Sequence, residues 1–300
     1  MSLILLVPPG IGDFSAMYQK LCCIDRDIII RPSADAPERI GPYLDILPKV
    51  KNGGYSGHNA MASVTNTLPP GTDVANLQDG TYLLAINTFL EYGGKVADWI
   101  PGPTEYHYTM HRPLNHIGPV YDFLISSGAT HPLIGVYCSA YGNSRHWGFW
   151  GPVEWKEFLS EVRKMVPPEA TFIFIGAEYD IQISDVLYDW MQKEGIRSFY
   201  TVGSFHIAGT IELIKNLDYF FSFPSGLGFL ADVIRTPNFM WFPPHLDPMR
   251  GTFADPEQYE SEQTLHVLFT GPKVAAKWFE IKGRKHMEER CAQNTDGSVR

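Results

Sequence analysis

Short apolar runs of strand length alternate with stretches of helical period along most of this chain. Leu3 to Val7 is a continuous apolar run of the kind buried on both faces of a parallel sheet. It stops at Pro8-Pro9 and turns through Gly10-Ile11-Gly12, after which a helix is predicted to open at Asp13 or Ser15, both good cap types. Strands follow at Asp27 to Ile30 and Tyr82 to Ile86. Loosely helical spacing covers 36–50, and a helix runs from Phe89 to Trp99, ended by Pro101 and Pro103. Residues 51–80 are rich in Gly, Asn, Ser and Thr and read as a substrate-side loop. A helix from Pro119 to Ser127 closes this half.

After Gly128 to Pro132, which reads as a linker, the pattern restarts. Strands are predicted at Leu133 to Cys138, Thr171 to Ile175, Ser198 to Val202, Tyr219 to Phe223 and Phe239 to Phe242. Helices lie between them. One carries Trp155, Phe158, Leu159 and Val162 on a single face. A second helix runs through Val186, Leu187, Trp190 and Met191. Another runs from Ile207 to Leu217, a further one follows the turn Pro224 to Gly228 and reaches Ile234, and the tail is helical from Lys273 to Arg290. This rhythm predicts an α/β protein of two Rossmann-like, doubly wound domains, 1–130 and 131–260, with a helical tail, 261–300, packing back on the first.

Composition narrows the function classes. The 300 residues are 44% hydrophobic and 19% charged, enough for full cores, and the net charge of −9 disfavours a broad nucleic-acid surface. The apolar start is too short for a signal peptide and no stretch reaches the ~20 apolar residues of a membrane span. The four cysteines have no metal spacing. Together these predict a reduced, cytoplasmic protein.

Ligands of doubly wound sheets sit beyond the carboxyl ends of strands. The places to look are therefore Gly10–Ser15, Ser139–Arg145, Gly176–Asp180, Val202–His206 and Pro224–Gly228. Gly10 and Gly12 allow close approach of a ligand to a helix N-terminus. Asp13 would repel a phosphate there, so it is either a helix cap or a base facing a hydroxyl substrate. Arg145 is the clearest strand-end cation, either neutralising a departing pyrophosphate or forming a surface ion pair. Ser225, Gly226 and Leu227 open a helix whose amides can hold phosphate oxygens, or form an ordinary tight turn. Asp180 caps a helix or holds a ribose diol, and His206 is a loop histidine or a ligand. Tyr106, His107, Tyr108, His111 and Arg112 form an aromatic and basic cluster that lines a sugar or base site or packs on the surface. His107 and His111 lack the glutamate of a zinc-protease helix, and Asp25-Arg26-Asp27 precedes a strand, so no metal is expected.

In this order the motifs resemble glycosyltransferase family 9, the ADP-heptose heptosyltransferases and their relatives, of the GT-B class. Gly10-Ile-Gly-Asp13 is similar to the family's N-terminal turn with its catalytic aspartate. Ser139 to Trp147 resembles its Ser…Lys/Arg-x-Trp segment on the donor diphosphate, and Gly176 to Asp180 its ribose-binding Gly-x-x-x-Glu. Phe223 to Ala231 with Thr236-Pro237 resembles Asp-Ser/Thr-Gly-x-x-His-x-Ala…Thr-Pro. Pro224, Phe229 and Asp180 depart from the family's Asp, His and Glu. The chain is also shorter than the usual members and looks like small phage relatives.

The resemblance implies an inverting, metal-independent glycosyltransferase with no cofactor beyond the nucleotide-diphosphate sugar it takes as substrate. Asp13 would be the general base. The donor would lie on Ser139, Arg145, Asp180, His206 and Ser225 to Leu227. The acceptor would be a glycan or another hydroxyl. Two alternatives stand beside this reading. One is a transferase acting on hydroxymethylated DNA, with Arg112, Lys282, Arg284 and Lys285 lining a basic cleft. The other is a non-catalytic nucleotide-sugar binder.

Overall fold

The computed structural model describes residues 2–7, 11–21, 24–32, 37–45, 47, 50–54, 68, 74–83, 118–139, 150–223, 225–234, 236–242, 264–268 and 271–296. These fall in two compact units, the first holding the described residues up to 83 and the second those from 118 onward.

The first unit is built on a four-stranded sheet in the order β3-β2-β1-β4, with β1 at Leu3–Val7, β2 at Ile28–Pro32, β3 at Val50–Asn52 and β4 at Gly80–Leu83. Its pairings are parallel, with Leu3 opposite Ile28 and Gly80. Leu3, Leu5, Leu6 and Val7 are buried, as the apolar run requires. Helix α1, Ile11–Leu21, starts before either expected cap. Asp13 is its third residue, in the first turn. Ser15 is buried inside the helix. Its hydroxyl donates back to the Ile11 carbonyl at 2.7 Å and meets the Tyr43 hydroxyl at 2.9 Å. Tyr43 lies on α2, Pro37–Leu44, and its ring stands edge-on to Phe14, 5.9 Å between centroids.

The second unit has six parallel strands in the order β10-β9-β8-β5-β6-β7. Their ranges are Leu133–Val136 (β5), Thr171–Phe174 (β6), Ser198–Tyr200 (β7), Tyr219–Ser222 (β8), Asn238–Phe242 (β9) and Thr264–Leu268 (β10). The chain winds outward through β6 and β7, then crosses to β8 on the other side of β5. That reversal makes β5/β8 the switch point. Helices α3, Pro119–Ser126; α4, Pro152–Met165; α5, Ile181–Lys193; α6, Ile207–Asn216; and α7, Gly226–Val233, accompany the sheet. One face buries Ile134, Val136, Phe172, Phe174, Phe221 and Phe239 under Trp155, Phe158, Leu159 and Val162 of α4 and Leu187 and Met191 of α5. Each such large apolar side chain contributes about 2 kcal/mol on burial. Phe158 stands edge-on to Phe221 at 4.9 Å. Val186 of α5 is 42% exposed, because one helix stripe covers the sheet and 186 falls beside it.

Two segments sit differently from the sequence expectation. Helix α3, expected to close the first half, belongs by its contacts to the second unit. Its Val120 and Tyr121 amides donate to Glu212 of α6 at 2.9 and 3.1 Å, so a carboxylate caps its N-terminus. The C-terminal helix runs as α8, Pro272–Trp278, a π-helical turn, Phe279–Gly283, and α9, Arg284–Asp296. It was expected on the first domain, yet its described contacts are with the second unit. Phe279 meets Tyr219 and Phe221, both at 5.2 Å, Met287 joins the same core, and Arg290 donates to the Lys215 carbonyl at 3.0 Å. The apolar residues of the tail find an open flank of the second sheet beside α4.

The expected helix 89–99, the cluster 106–112 and most of the loop 51–80 lie outside the described residues.

Candidate functional site

Three strand ends of the second unit bring polar side chains together. After β5 the chain continues through Tyr137 and Cys138, both buried, to the half-buried Ser139. The Trp155 indole N–H donates to the Cys138 carbonyl at 3.2 Å, so α4 fixes this strand end. After β6 it turns through Gly176 and Ala177 into a 3-10 turn, Glu178–Asp180. Asp180 folds back under that turn and is fully buried. Its Oδ2 accepts from the Ala177 N–H at 2.7 Å and its Oδ1 accepts from the Ser139 hydroxyl. A β-carbon on Gly176 would stand 2.4 Å from Asp180 Oδ2, so the close turn requires glycine there. The Gly203 N–H donates to the Gly176 carbonyl at 3.0 Å, linking the β7 end to the same turn.

Electrostatically this is a dry, acidic corner. Burial pushes the Asp180 carboxyl up to about 6, against the pull of its hydrogen bonds from Ser139 and Ala177. Tyr137 is raised well above its ordinary value by burial and then by the Asp180 charge, and Tyr179 and Ser225 are its other polar neighbours. Cys138 is raised by burial despite a hydrogen bond with Ser184. Tyr200 is raised by burial and by its bond to Asp185.

At β8 the chain reaches Ser225, the cap residue of α7, in extended conformation. Its side chain does not bond the helix amides. The first-turn N–H groups of α7 have no partner within the helix, which is the arrangement that receives anions. Gly226 and Leu227 begin that turn, and Phe229 accompanies them as a core residue, 5% exposed. Behind it, Asn238 donates to the Gly228 carbonyl at 3.1 Å and to Asp232 at 3.0 Å, and accepts from the Ser222 hydroxyl at 2.8 Å. This buried network ties α7 to β8 and β9.

Ser139 and Asp180 are thus in direct contact, and Tyr137 connects them to Ser225 at the switch point. His206 is the exposed cap residue of α6, its carbonyl accepting from Thr210 at 3.0 Å, and it makes no described contact with the cluster. Gly12 stands in the first turn of α1 in the other unit. Gly10, Arg145, Pro224 and the Asp13 side chain lie outside the described residues. Sequence reasoning passed over Tyr137, because a tyrosine ending an apolar run reads as core, and over Tyr179, 47% exposed on the turn.

Other candidates sit elsewhere. A concavity of about 440 Å³ lined by Ser127, Gln192, Arg197 and Phe199, among others, lies at the amino ends of β6 and β7, opposite the cluster. Of the residues assigned to a basic cleft, Arg112 lies outside the described residues. Arg284 pairs with Glu288, Lys285 with Glu289, and Lys282 lies over the Trp278 ring. Among the described residues, no three His, Cys, Asp or Glu side chains gather as a metal site, and no helix is long and apolar enough to cross a membrane.

No family model matches the sequence, and no curated protein matches it. Solved structures do. E. coli ADP-heptose LPS heptosyltransferase II is similar with a TM-score of 0.58 at 12% identity, covering 98% of this chain and 99% of that one. A glycosyl transferase family 9 protein from Veillonella parvula DSM 2008 scores 0.56 at 10% identity, covering 96% and 97%. E. coli heptosyltransferase WaaC with ADP scores 0.55 at 12% identity, covering 96% and 100%. At such identities the likeness shows a shared fold, the GT-B class of two Rossmann-like sheets that the motif series implies.

Proposed function

We propose that this chain is a glycosyltransferase that takes a sugar from a nucleoside-diphosphate donor to an acceptor hydroxyl, with inversion and without a metal ion. The observation that carries the reading is the meeting of Ser139, Asp180 and Tyr137 with the Ser225 cap at the β5/β8 switch point. On sheets of this winding that crevice receives nucleotides. The likeness to solved heptosyltransferases, one of them with ADP, supports it.

In this reading the donor diphosphate lies against the amides of Gly226 and Leu227, with Arg145 as its cation. As the bond from the sugar to the diphosphate breaks, negative charge grows on the leaving oxygen, and fixed N–H donors and a guanidinium stabilise it. Asp13, in the first turn of α1, takes the proton of the attacking hydroxyl. His206 is the position for a further donor contact from the β7 side.

The test is a thermal-shift panel of ADP, UDP, GDP and CDP at about 1 mM, followed by donor turnover. A nucleotide with a dissociation constant of about 10 µM adds roughly 2.7 kcal/mol, a readable shift. Asp13→Ala is expected to lower turnover about 10²- to 10⁴-fold while leaving the nucleotide shift in place. A flat panel would overturn the reading, and binding without turnover in the presence of hydroxyl acceptors would reduce it to a nucleotide-sugar binder.

A further inference from the structure

The hydrogen-bond arithmetic of Ser139 and Asp180 dictates what can sit above Ser139. An ionised carboxylate only accepts, and a serine hydroxyl has one hydrogen. With Asp180 ionised, that hydrogen points inward to Oδ1 and the half-buried Ser139 oxygen can only accept from a ligand. Phosphate oxygens likewise only accept, so the two oppose each other. A protonated Asp180 reverses the polarity. Its own O–H donates from Oδ1 to Ser139 Oγ, while Oδ2 continues to accept from the Ala177 N–H. The Ser139 hydrogen then turns outward as a donor. The same heavy atoms serve both states.

The surroundings favour the neutral form. Tyr137 and Cys138 face the carboxyl from the β5 end and Tyr200 from β7, each kept neutral by burial. From α5 come Ser184, bonded to Cys138, and Asp185, bonded to Tyr200. Tyr179 and the exposed Glu178 complete the turn. Burial is the largest influence on Asp180, and no cation among the described residues offsets it.

We propose that Asp180 is a positioning residue that sets the hydrogen-bond direction of Ser139, and that seating a nucleoside diphosphate draws one solvent proton onto Asp180 so that Ser139 donates to a phosphate oxygen. This rests on the nucleotide reading above. An arriving polyanion favours the protonated carboxyl, as a like charge does for any acid. Linkage makes the coupling reciprocal, so affinity falls as pH rises above the value at which free Asp180 ionises.

The experiment is calorimetric titration with ADP, UDP, GDP or CDP, whichever binds tightest, in HEPES and in Tris at pH 7.5, two buffers of different ionisation enthalpy. The matching nucleoside is the control. Wild-type protein is expected to take up close to one proton per diphosphate bound and none with the nucleoside. Between about pH 6.5 and 8 its diphosphate affinity falls about tenfold per pH unit beyond any change seen in Asp180→Asn. In that variant Oδ1 still accepts from Ala177 and Nδ2 donates to Ser139, which locks the outward donor and removes the uptake. The nucleotide's own phosphate titration, at about pH 6, is common to both proteins and cancels between them. Equal pH profiles in the two proteins with no buffer-dependent heat would overturn the coupling and leave nucleotide binding intact. No binding of any of the four diphosphates would overturn both.

Discussion

His131 Nδ1 lies 2.5 Å from Asp218 Oδ2, across 87 residues of chain. The carboxylate only accepts, so Nδ1 carries the hydrogen, and Nε2 meets the Tyr121 hydroxyl at 3.0 Å. The same Asp218 oxygen accepts from the Leu133 amide at 2.6 Å, and Cys291 of α9 also bonds the carboxylate. One fully buried acid thus joins the starts of β5 and β8 to α3 and the C-terminal helix. Asp218→Ala takes the acceptor away from the His131 ring N–H, the buried Leu133 amide and the Cys291 thiol, and is expected to destabilise the second unit by about 3 kcal/mol in urea unfolding. Asp218→Asn, which retains one acceptor, is expected to recover part of this. A loss below about 1 kcal/mol in the alanine variant would show that the junction is held by packing alone.

Gly176 gives a second expectation. A methyl group there meets Asp180 Oδ2 at 2.4 Å and its Cβ at 2.8 Å, so Gly176→Ala pushes the carboxylate out of its turn. The expected loss is about 2 kcal/mol, the range of an overpacked core. Asp180→Ala removes the Oδ2 and Cγ clashes but keeps the Cβ contact at 2.8 Å, so it should lower the cost of the second substitution only in part. A double-mutant cycle measures that coupling, and strict additivity would place the strain in the backbone instead.

Much of this architecture is legible in the sequence because its strands are apolar runs that differ from everything around them. Leu3 to Val7, Thr171 to Ile175 and Tyr219 to Phe223 each locate a strand to within one residue. Strand ends also single out Ser139, Asp180 and Ser225 as candidates, since winding order brings the carboxyl ends of neighbouring strands side by side. Three other features have no local signal. Val50–Asn52 is a three-residue edge strand whose pairing with β2, not its composition, makes it a strand. Thr264–Leu268 extends the sheet on the flank of β9 although a histidine interrupts its apolar run. The start of α1 is hidden because Ser15 reads as a cap, while its hydroxyl bonds the preceding turn. The Asp180 turn and the Asp218 junction depend on residues 41 and 87 positions away, a distance at which sequence pattern carries no information.

The Asp180 carboxyl also makes stability depend on pH. Its folded pKa, about 6, lies above its value in an unfolded chain, about 3.9. Between these values the folded state holds the proton more tightly, so stability falls as pH rises through about 4 to 6 and the penalty is complete above. The shift corresponds to at most about 3 kcal/mol. Asp180→Asn does not titrate there. The melting temperature of that variant minus wild type is therefore expected to climb by several degrees between about pH 4 and 7 and then level off. The difference cancels the titration of other carboxylates. A flat difference would mean that Asp180 is solvated enough to ionise normally.

Asn238 is the residue on which the position of α7 depends. Its amide bonds the Gly228 carbonyl and Asp232, and its oxygen accepts from Ser222, all without solvent. Gly228 itself has no room for a side chain, with the Phe223 carbonyl 2.6 Å from where a β-carbon would stand, so the helix is held close to the end of β8. Asn238→Leu keeps much of the volume but leaves the Ser222 hydroxyl and the Asp232 carboxylate without this partner, a loss of about 2 to 4 kcal/mol. Asn238→Asp is expected to be worse, since it sets a second carboxylate against Asp232 and cannot donate to it. Both changes displace the first turn of α7, and with it the amides of Gly226 and Leu227. Affinity for a nucleoside diphosphate should therefore fall about tenfold or more in the leucine variant at a temperature where it remains folded, while affinity for the bare nucleoside changes little. Equal losses for the two ligands would place the diphosphate away from the α7 N-terminus.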